Sequence, residues 1–229
     1  MKKLIGILSL CFLTSSSFAQ SNGLLSYFKL TADDTKHERF DRIAVDFYQT
    51  SFRNAPEGIE QGMFSLGISA YWYKDMPLGE KSRVSLAFGA GFSSYNIHHN
   101  GVFYEKDGYT HFDKLPDSVS WKKNKLATNY LDIPFEFRLR KMKGKNKFRF
   151  YPGFKAGVLV NDHSKWKTKE VKYKYFNLPN TLIYHYGATL RLVWNKIALY
   201  GYYSLTPLFD YGKGVEIYPI GIGVSWIRF

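Results

Sequence analysis

Residues 129–140 read NYLDIPFEFRLR, and they sort by parity. Leu131, Ile133, Phe135, Phe137 and Leu139 fall on one side of an extended chain, and Asp132, Pro134, Glu136, Arg138 and Arg140 on the other. Only a β-strand turns successive side chains to opposite faces; a helix of 3.6 residues per turn would scatter both sets. A little further on, FRFYPGFKAGVLV (148–160) repeats the pattern, with Phe148, Phe150, Pro152, Phe154, Ala156, Val158 and Val160 against Arg149, Tyr151, Gly153, Lys155 and Gly157. The lysine-rich MKGKN (142–146) between them reads as the turn of a hairpin.

The same test applied outward from this pair finds Phe64, Leu66, Ile68, Ala70 and Trp72, then Val84, Leu86, Phe88, Ala90 and Phe92, each opposed by Ser, Gly or Ala. Leu182 to Trp194 and Ile220 to Trp226 alternate likewise, and 41–52 and 197–209 complete an even count of eight. The proposed strands are 41–52, 62–74, 82–97, 125–140, 147–161, 180–194, 197–209 and 215–229. Their connections alternate in length. Those at 53–61, 98–124, 162–179 and 210–214 are mostly long, and those at 75–81, 141–146 and 195–196 are short, as in bacterial outer-membrane barrels with both termini periplasmic. On this pattern the last external loop, 210–214, is itself short.

Which face looks outward follows from the glycines. A narrow eight-stranded interior takes mainly small and a few interlocked polar side chains, whereas a solvated outer wall has no need of Gly89, Gly91, Gly153, Gly157, Gly187, Gly221 and Gly223. The small and charged face is therefore placed inside and the aliphatic and aromatic face on lipid. Phe135→Arg is then expected to be damaging and Gly89→Ala mild. Trp72, Trp194 and Trp226 come near the periplasmic ends, where an interfacial aromatic girdle belongs, and Trp121 and Trp166 fall in external loops. The fold class expected is all-β: a closed antiparallel transmembrane up-and-down barrel.

The first residues carry an address. Lys2 and Lys3, the apolar run LIGILSLCFL and the small-residue stretch TSSSFA have the three-part layout of a secretory signal peptide, with cleavage expected after Ala19. The chain then divides into a signal peptide (1–19), a segment without clear period (20–40) and a barrel (41–229). The one cysteine, Cys11, lies in the signal, so the mature chain has no disulfide or thiolate chemistry. Aromatic residues make up 18% of the chain, with a mean hydropathy of −0.29. No later run of 18 apolar residues exists, which excludes helical membrane spans. Phe229, a terminal aromatic after an alternating strand, resembles the signal read by barrel-assembly machinery, although the apolar set runs on even numbers to Trp226 while Ile227 and Phe229 are odd.

Taken in order, LDIPFEFRLR (131–140), FYPGFKAGVLVN (150–161), GYYSLTPLF (201–209) and PIGIGVSW (219–226) resemble the outer-membrane β-barrel domain family common in Bacteroidota, its PorT-like members in particular. The resemblance covers roughly 41–229. It implies a Gram-negative outer-membrane location and a barrel fold, and it carries no catalytic motif.

Net charge is +13, from 32 Lys and Arg against 19 Asp and Glu. Without Lys2 and Lys3 the mature balance is +11. Export sets nucleic acid aside as a partner, and solvated loops with interior ion pairs account for the excess. Arg138, Arg140, Lys141, Lys143, Lys145, Lys147 and Arg149 gather at one periplasmic turn, read as a solvated hairpin tip. The external segment HSKWKTKEVKYKY (163–175) alternates lysines with aromatics; it reads as a hairpin extending past the membrane, with lipopolysaccharide phosphates as a possible target. Asp46, Asp132, Glu136, Arg138, Arg149, Lys155 and Arg191 take inward positions, where buried charges must be paired, so cross-strand salt bridges that plug the lumen are expected. An ion path is the rival reading.

Chemistry would have to come from histidines. His98, His99 and His111 share a loop with Asp107, Asp113 and Asp117, but in no recognised ligand spacing, so no metal and no cofactor is expected. His185, Ser204 and Asp132 are the residue types for acyl transfer, scattered over three strands, and lumen packing is the reading preferred. The expectation is a non-enzymatic envelope barrel presenting loops outside, with outer-membrane lipid around it and the assembly machinery as a biogenesis partner. Two other classes stay open: a barrel enzyme acting on lipid A or peptides, marked by Ser, His and carboxylate meeting at one rim, and a subunit or assembly factor of a secretion or uptake complex, marked by co-purification.

Overall fold

The computed structural model describes residues 42–78, 84–116, 123–140, 148–167 and 172–228. The expected signal peptide, the segment 20–40, Trp121 and Phe229 lie outside them. Among the described residues every regular element is a strand. Eight form the wall: β1 (Ile43–Arg53), β2 (Leu66–Pro77), β3 (Val84–His98), β6 (Lys123–Arg140), β7 (Phe148–Lys167), β9 (Tyr184–Trp194), β10 (Ile197–Ser204) and β11 (Tyr218–Arg228). Each pairs antiparallel with its neighbour, and β1 with β11 and β6 with β7 complete the ring. Closure leaves the wall no open edge, the condition for a sheet in hydrocarbon.

The alternation explains why these stretches become strands, and burial follows it. Along β6, Leu131, Ile133, Phe135 and Phe137 are exposed while Asp132, Pro134, Glu136 and Arg138 are buried. Apolar side chains thus face outward, the reverse of a soluble barrel, and supply the lipid-facing belt. Trp72, Trp194 and Trp226 are exposed at one end of the wall, where Trp72 lies opposite Ile43 and Trp194 opposite Phe148 and Ile197. The β1–β11 register runs without a break through Ala44 opposite Ile227 and Ile43 opposite Arg228. No bulge therefore reverses the parity: Trp226 faces out and Ile227 is buried. Pro134 and Pro152, which lack an N–H, sit beside gaps in the β3–β6 and β6–β7 ladders.

At the end with long connections the strands of two loops continue. β4 (Gly101–Lys106) and β5 (Tyr109–Lys114) form a hairpin turned by Asp107 and Gly108, both at positive φ, and β8 (Lys172–Phe176) pairs with the upper part of β7. The extended hairpin expected over 163–175 is thus present. The last external connection differs from expectation. β10 ends at Ser204, not at 209, and 205–217 is a folded loop, because Pro207 cannot donate to a ladder and Leu208, Phe209 and Ile217 are drawn into a buried cluster. All four external loops are therefore long.

Candidate functional site

The interior is filled from end to end, in three levels set by which inward residues the strands supply. Nearest the tryptophan end, Ala44, Tyr71, Tyr73, Ala87, Tyr151, Val193, Ala198 and Ile227 pack together beside a chain of charges. Arg191 of β9 reaches across the lumen to Asp46 of β1, with Nη2 2.7 Å from Oδ2 and Nε 3.2 Å from Oδ1, and also donates to Glu136 and to the Tyr73 hydroxyl. Arg138 continues the chain, 2.8 Å from Glu136 and 2.8 Å from Asp75, which Arg140 joins as well. Asp46, Glu136, Arg138 and Arg191 are all buried, so each charge has the partner that burial demands.

At mid-height Lys155 is fully buried and donates to Tyr95 Oη (2.7 Å), Tyr71 Oη (3.1 Å) and Asp132 Oδ2 (3.2 Å), with the Tyr202 ring 4.2 Å away. Asp132 accepts two more bonds, from Tyr71 Oη (2.7 Å) and from His185 Nε2 (2.6 Å). The His185 ring stacks on Tyr130 at 4.0 Å, and its Nδ1 lies 3.1 Å from the Tyr202 hydroxyl. Tyr48 and Tyr200 complete this level, in one buried cluster with Tyr95, Tyr130 and Tyr202.

The third level is a cap. Phe52, Ile97, Leu126 and, from the loops, Phe112, Leu178, Leu208, Phe209 and Ile217 form a buried apolar cluster over the external mouth. Hydrogen bonds tie the loops together. Thr110 N donates to Lys213 O (2.8 Å) and Thr110 Oγ1 to Pro179 O (2.9 Å), Asp210 N donates to Asn180 O (2.7 Å), and Asn100 Nδ2 donates to Gly58 O (3.1 Å). His99 sits in this cap against Phe103 and Phe112, with Nδ1 3.0 Å from Gly101 O, and burial pulls its pKa down to about 4.

All seven charges expected inward are buried, and the salt bridges are present. The lumen differs from expectation in its bulk. It is occupied by tyrosines, not chiefly by small residues, and the glycines make room for them: a Cβ on Gly67 would overlap the Tyr48 ring, and one on Gly187 would lie 2.7 Å from the Tyr202 ring. Parity alone places Tyr71 and Tyr73 with Gly67 and Ser69, so this signal was present in the sequence. Gly89 is also tighter than expected, because an added Cβ would strike the Trp72 carbonyl of the neighbouring strand. The basic turn differs in part from expectation: Arg138 and Arg149 are buried, while Lys141, Lys143, Lys145 and Lys147 lie outside the described residues. Asp75 and Asp162 were not expected inside. Asp162 accepts from Leu178 N (3.0 Å) and Thr181 Oγ1 (2.9 Å), after a register shift opposite Asn129 and Tyr130 reverses the parity of upper β7.

Of the acyl-transfer set, His185 and Asp132 meet, but the Ser204 hydroxyl donates instead to Thr206 O at 2.9 Å. The loop histidines and aspartates are dispersed. His99 is in the cap, His111 stacks on Tyr104, and Asp113 accepts from the Tyr104 hydroxyl. Asp107 is at a hairpin tip, and Asp117 lies outside the described residues. Among the described residues no group of three His, Cys, Asp or Glu is placed to hold a metal.

Residues 19–211 match the family described as outer membrane protein beta-barrel domain. No curated protein matches the sequence. Among solved structures the chain is similar to the crystal structure of Ail, the attachment invasion locus protein of Yersinia pestis, with a TM-score of 0.37 and 9% identity, over 82% of this chain and 97% of that one.

Proposed function

The chain belongs to the outer membrane protein β-barrel domain family, and from that premise we propose that it is a sealed structural and interaction barrel of the cell envelope, neither a pore nor an enzyme. One observation carries the reading: Arg191, Asp46, Glu136, Arg138, Lys155 and Asp132 are all ion-paired inside the lumen, Arg191 reaching across it to Asp46, under a mouth covered by the apolar cap. An ion crossing this interior would have to break several buried pairs in turn, and breaking each costs about 3–5 kcal/mol. His185 supports the non-enzymatic reading, since its ring nitrogens face Asp132 and Tyr202 and its nearest hydroxyl is a phenol, not Ser204. Binding then belongs to the external hairpins.

The strand motifs from 131 to 226 support a place among PorT-like barrels of Bacteroidota. The segment 1–19 supports export with cleavage after Ala19, and biogenesis through the barrel-assembly machinery follows from that route. The test is reconstitution of the purified barrel in planar bilayers, together with assays of lipid A modification and peptide cleavage. No stable conductance steps are expected, and His185→Ala should behave as the unmodified protein. Steady steps would overturn the sealed lumen, and an activity lost in His185→Ala would overturn the non-enzymatic reading.

A further inference from the structure

We propose that Arg53, with Tyr203 and Tyr218, forms a site on the outer wall of the barrel for the phosphate of an outer-leaflet glycolipid, at the external edge of the lipid-facing belt. The site lies on the wall itself, apart from the external hairpins to which binding is assigned. The register assembles it. Arg53, the last residue of β1, stands directly opposite Tyr218, the first of β11, and Ser51 and Tyr203 both stand opposite Ile220. Directly opposed residues share a face of the sheet. That face is the outer one: Phe47, Ile222 and Val224, of the same parity, are exposed, while Phe52 and Tyr202 are buried. Beyond the β1–β2 ladder the Gln61 side chain takes the place of a strand partner. Its amide donates to Phe52 O at 2.8 Å and its Oε1 accepts from Phe52 N, which holds β1 extended as far as Arg53.

Two observations mark the site as one for an anion. The Arg53 guanidinium lies over both tyrosine rings, 5.0 Å from the Tyr203 centroid and 5.2 Å from that of Tyr218. Aromatic faces hold a cation in place but do not neutralise it. Among the described residues Arg53 has no ion pair and donates no hydrogen bond, and the Tyr203 and Tyr218 hydroxyls are unbonded as well. A planar fork of five N–H donors is thus held without an acceptor, the arrangement that takes a phosphate through paired hydrogen bonds. Position is the second observation. Ile43 lies opposite Trp72 at the tryptophan end, and Arg53 follows it by ten residues, about 25 Å along the barrel axis for a tilted strand, the height of the apolar band. Arg53 therefore stands where headgroups meet hydrocarbon on the external side. Among the described residues, the outer face of β1, β9, β10 and β11 carries charge only at Arg53 and, at the opposite end, Arg228. Near Arg53 the same face presents Tyr184, Tyr186, Tyr203 and Tyr218, the aromatic belt of an interface. With no carboxylate on this face, the anion that reaches Arg53 at this depth is the phosphate of the outer-leaflet glycolipid.

The test titrates the full chain, folded in detergent micelles, with bisphosphorylated lipid A or with the same lipid A dephosphorylated, and reads the bound lipid by native mass spectrometry. The phosphorylated form should bind about tenfold more tightly, or better. Arg53→Gln should remove that preference. Arg53→Lys, which keeps the charge without the planar fork, should weaken binding of the phosphorylated form by about threefold or more. Heat-modifiable migration checks that each variant has folded. Equal affinity of the unmodified protein for the two lipids would overturn the proposal, as would a phosphate preference that survives Arg53→Gln. If Arg53→Gln does not fold, Arg53→Lys decides, and unchanged binding there overturns the proposal. Displacement of lipid A by inorganic phosphate at equal concentration would overturn the lipid assignment in favour of a free anion. Neither result would touch the sealed lumen, which the conductance measurement judges alone.

Discussion

Arg191 and Asp46 are 145 residues apart in sequence and stand on strands separated by two others in the wall, yet the guanidinium meets the carboxylate at 2.7 Å across the lumen. The pair is a strut between opposite sides of the cylinder, extended by Glu136 to β6. Arg191→Ala should therefore lower stability by about 3–5 kcal/mol, because it leaves two buried carboxylates short of a partner. Asp46→Asn added to Arg191→Ala should cost much less than Asp46→Asn alone. Urea unfolding in detergent micelles, followed by tryptophan fluorescence, measures the cycle, and additive losses would mean that the pair is not coupled.

Glycine substitutions should separate by the space each position has. Gly67→Ala and Gly89→Ala press a methyl group into the Tyr48 ring and the Trp72 carbonyl, whereas Gly201→Ala on the lipid face meets nothing within 4 Å. The first two should slow or block refolding and the third should leave it unchanged. Phe135→Arg, at an exposed mid-strand position, should cost about 2–4 kcal/mol in a bilayer. Folding yield into vesicles, read on unboiled gels, ranks all four; a damaged Gly201→Ala beside a mild Gly67→Ala would contradict the packing described.

How far the sequence speaks depends on how local the cause is. The wall was legible because lipid outside and a polar interior impose period two on every strand, so residues such as Phe135 and Glu136 declare their faces without any knowledge of their neighbours. Asp162 was not legible, since the bulge beside Tyr130 reverses the parity and alternation carries no mark of it. The apolar run 197–209 reads as strand on both faces, but its last part turns inward over the mouth, a long-range packing event that Leu208 and Phe209 share with Phe112 and Leu178. The β4–β5 hairpin did have a local mark, Asp107-Gly108 between alternating residues, which the loop reading of 98–124 passed over. Of the candidate site, the ion pairs were readable from inward parity, while the choice of partners, Asp75 for Arg138 or Tyr202 for Lys155, depends on barrel curvature.

Acid should loosen the cap through His99. Its pKa is about 4 in the folded protein, pulled down from 6.5 by burial among Phe103 and Phe112, with His98 beside it. Above pH 6.5 both folded and opened cap hold a neutral ring and nothing is lost. As pH falls from 6.5 towards 4 only the opened cap takes up the proton, so its stability declines across that window by up to about 3 kcal/mol and levels off below it. Hydrogen exchange of amides 99–115, corrected for intrinsic rates, should be faster at pH 5 than at pH 7.5. His99→Phe should remove the difference; if it persists, another group governs the cap.

The two long hairpins should respond oppositely to deletion, because only one of them is part of the cap. Above Asp162 the β7–β8 hairpin projects away from the buried cluster: Tyr175 and Phe176 are exposed, and Trp166 stacks on Tyr173 within the hairpin itself. His163 and Phe176 are directly opposed, so removing 163–176 leaves two chain ends one strand spacing apart, which an Asn-Gly turn can join. Asp162, Leu178 and Thr181, which anchor the cap, are untouched by that cut. The shortened barrel should keep its heat-modifiable migration and its protease-resistant loops. Removing 102–113 takes Phe103 and Phe112 out of the cap and Thr110 from between Lys213 and Pro179, exposing Phe52, Ile97, Leu208 and Phe209 to water. That variant should keep the wall but lose the cap, with rapid proteolysis in 53–65 and 205–217. Equal protease resistance of the two deletions would show that the loops stand independently and that the apolar cluster does not hold the mouth closed.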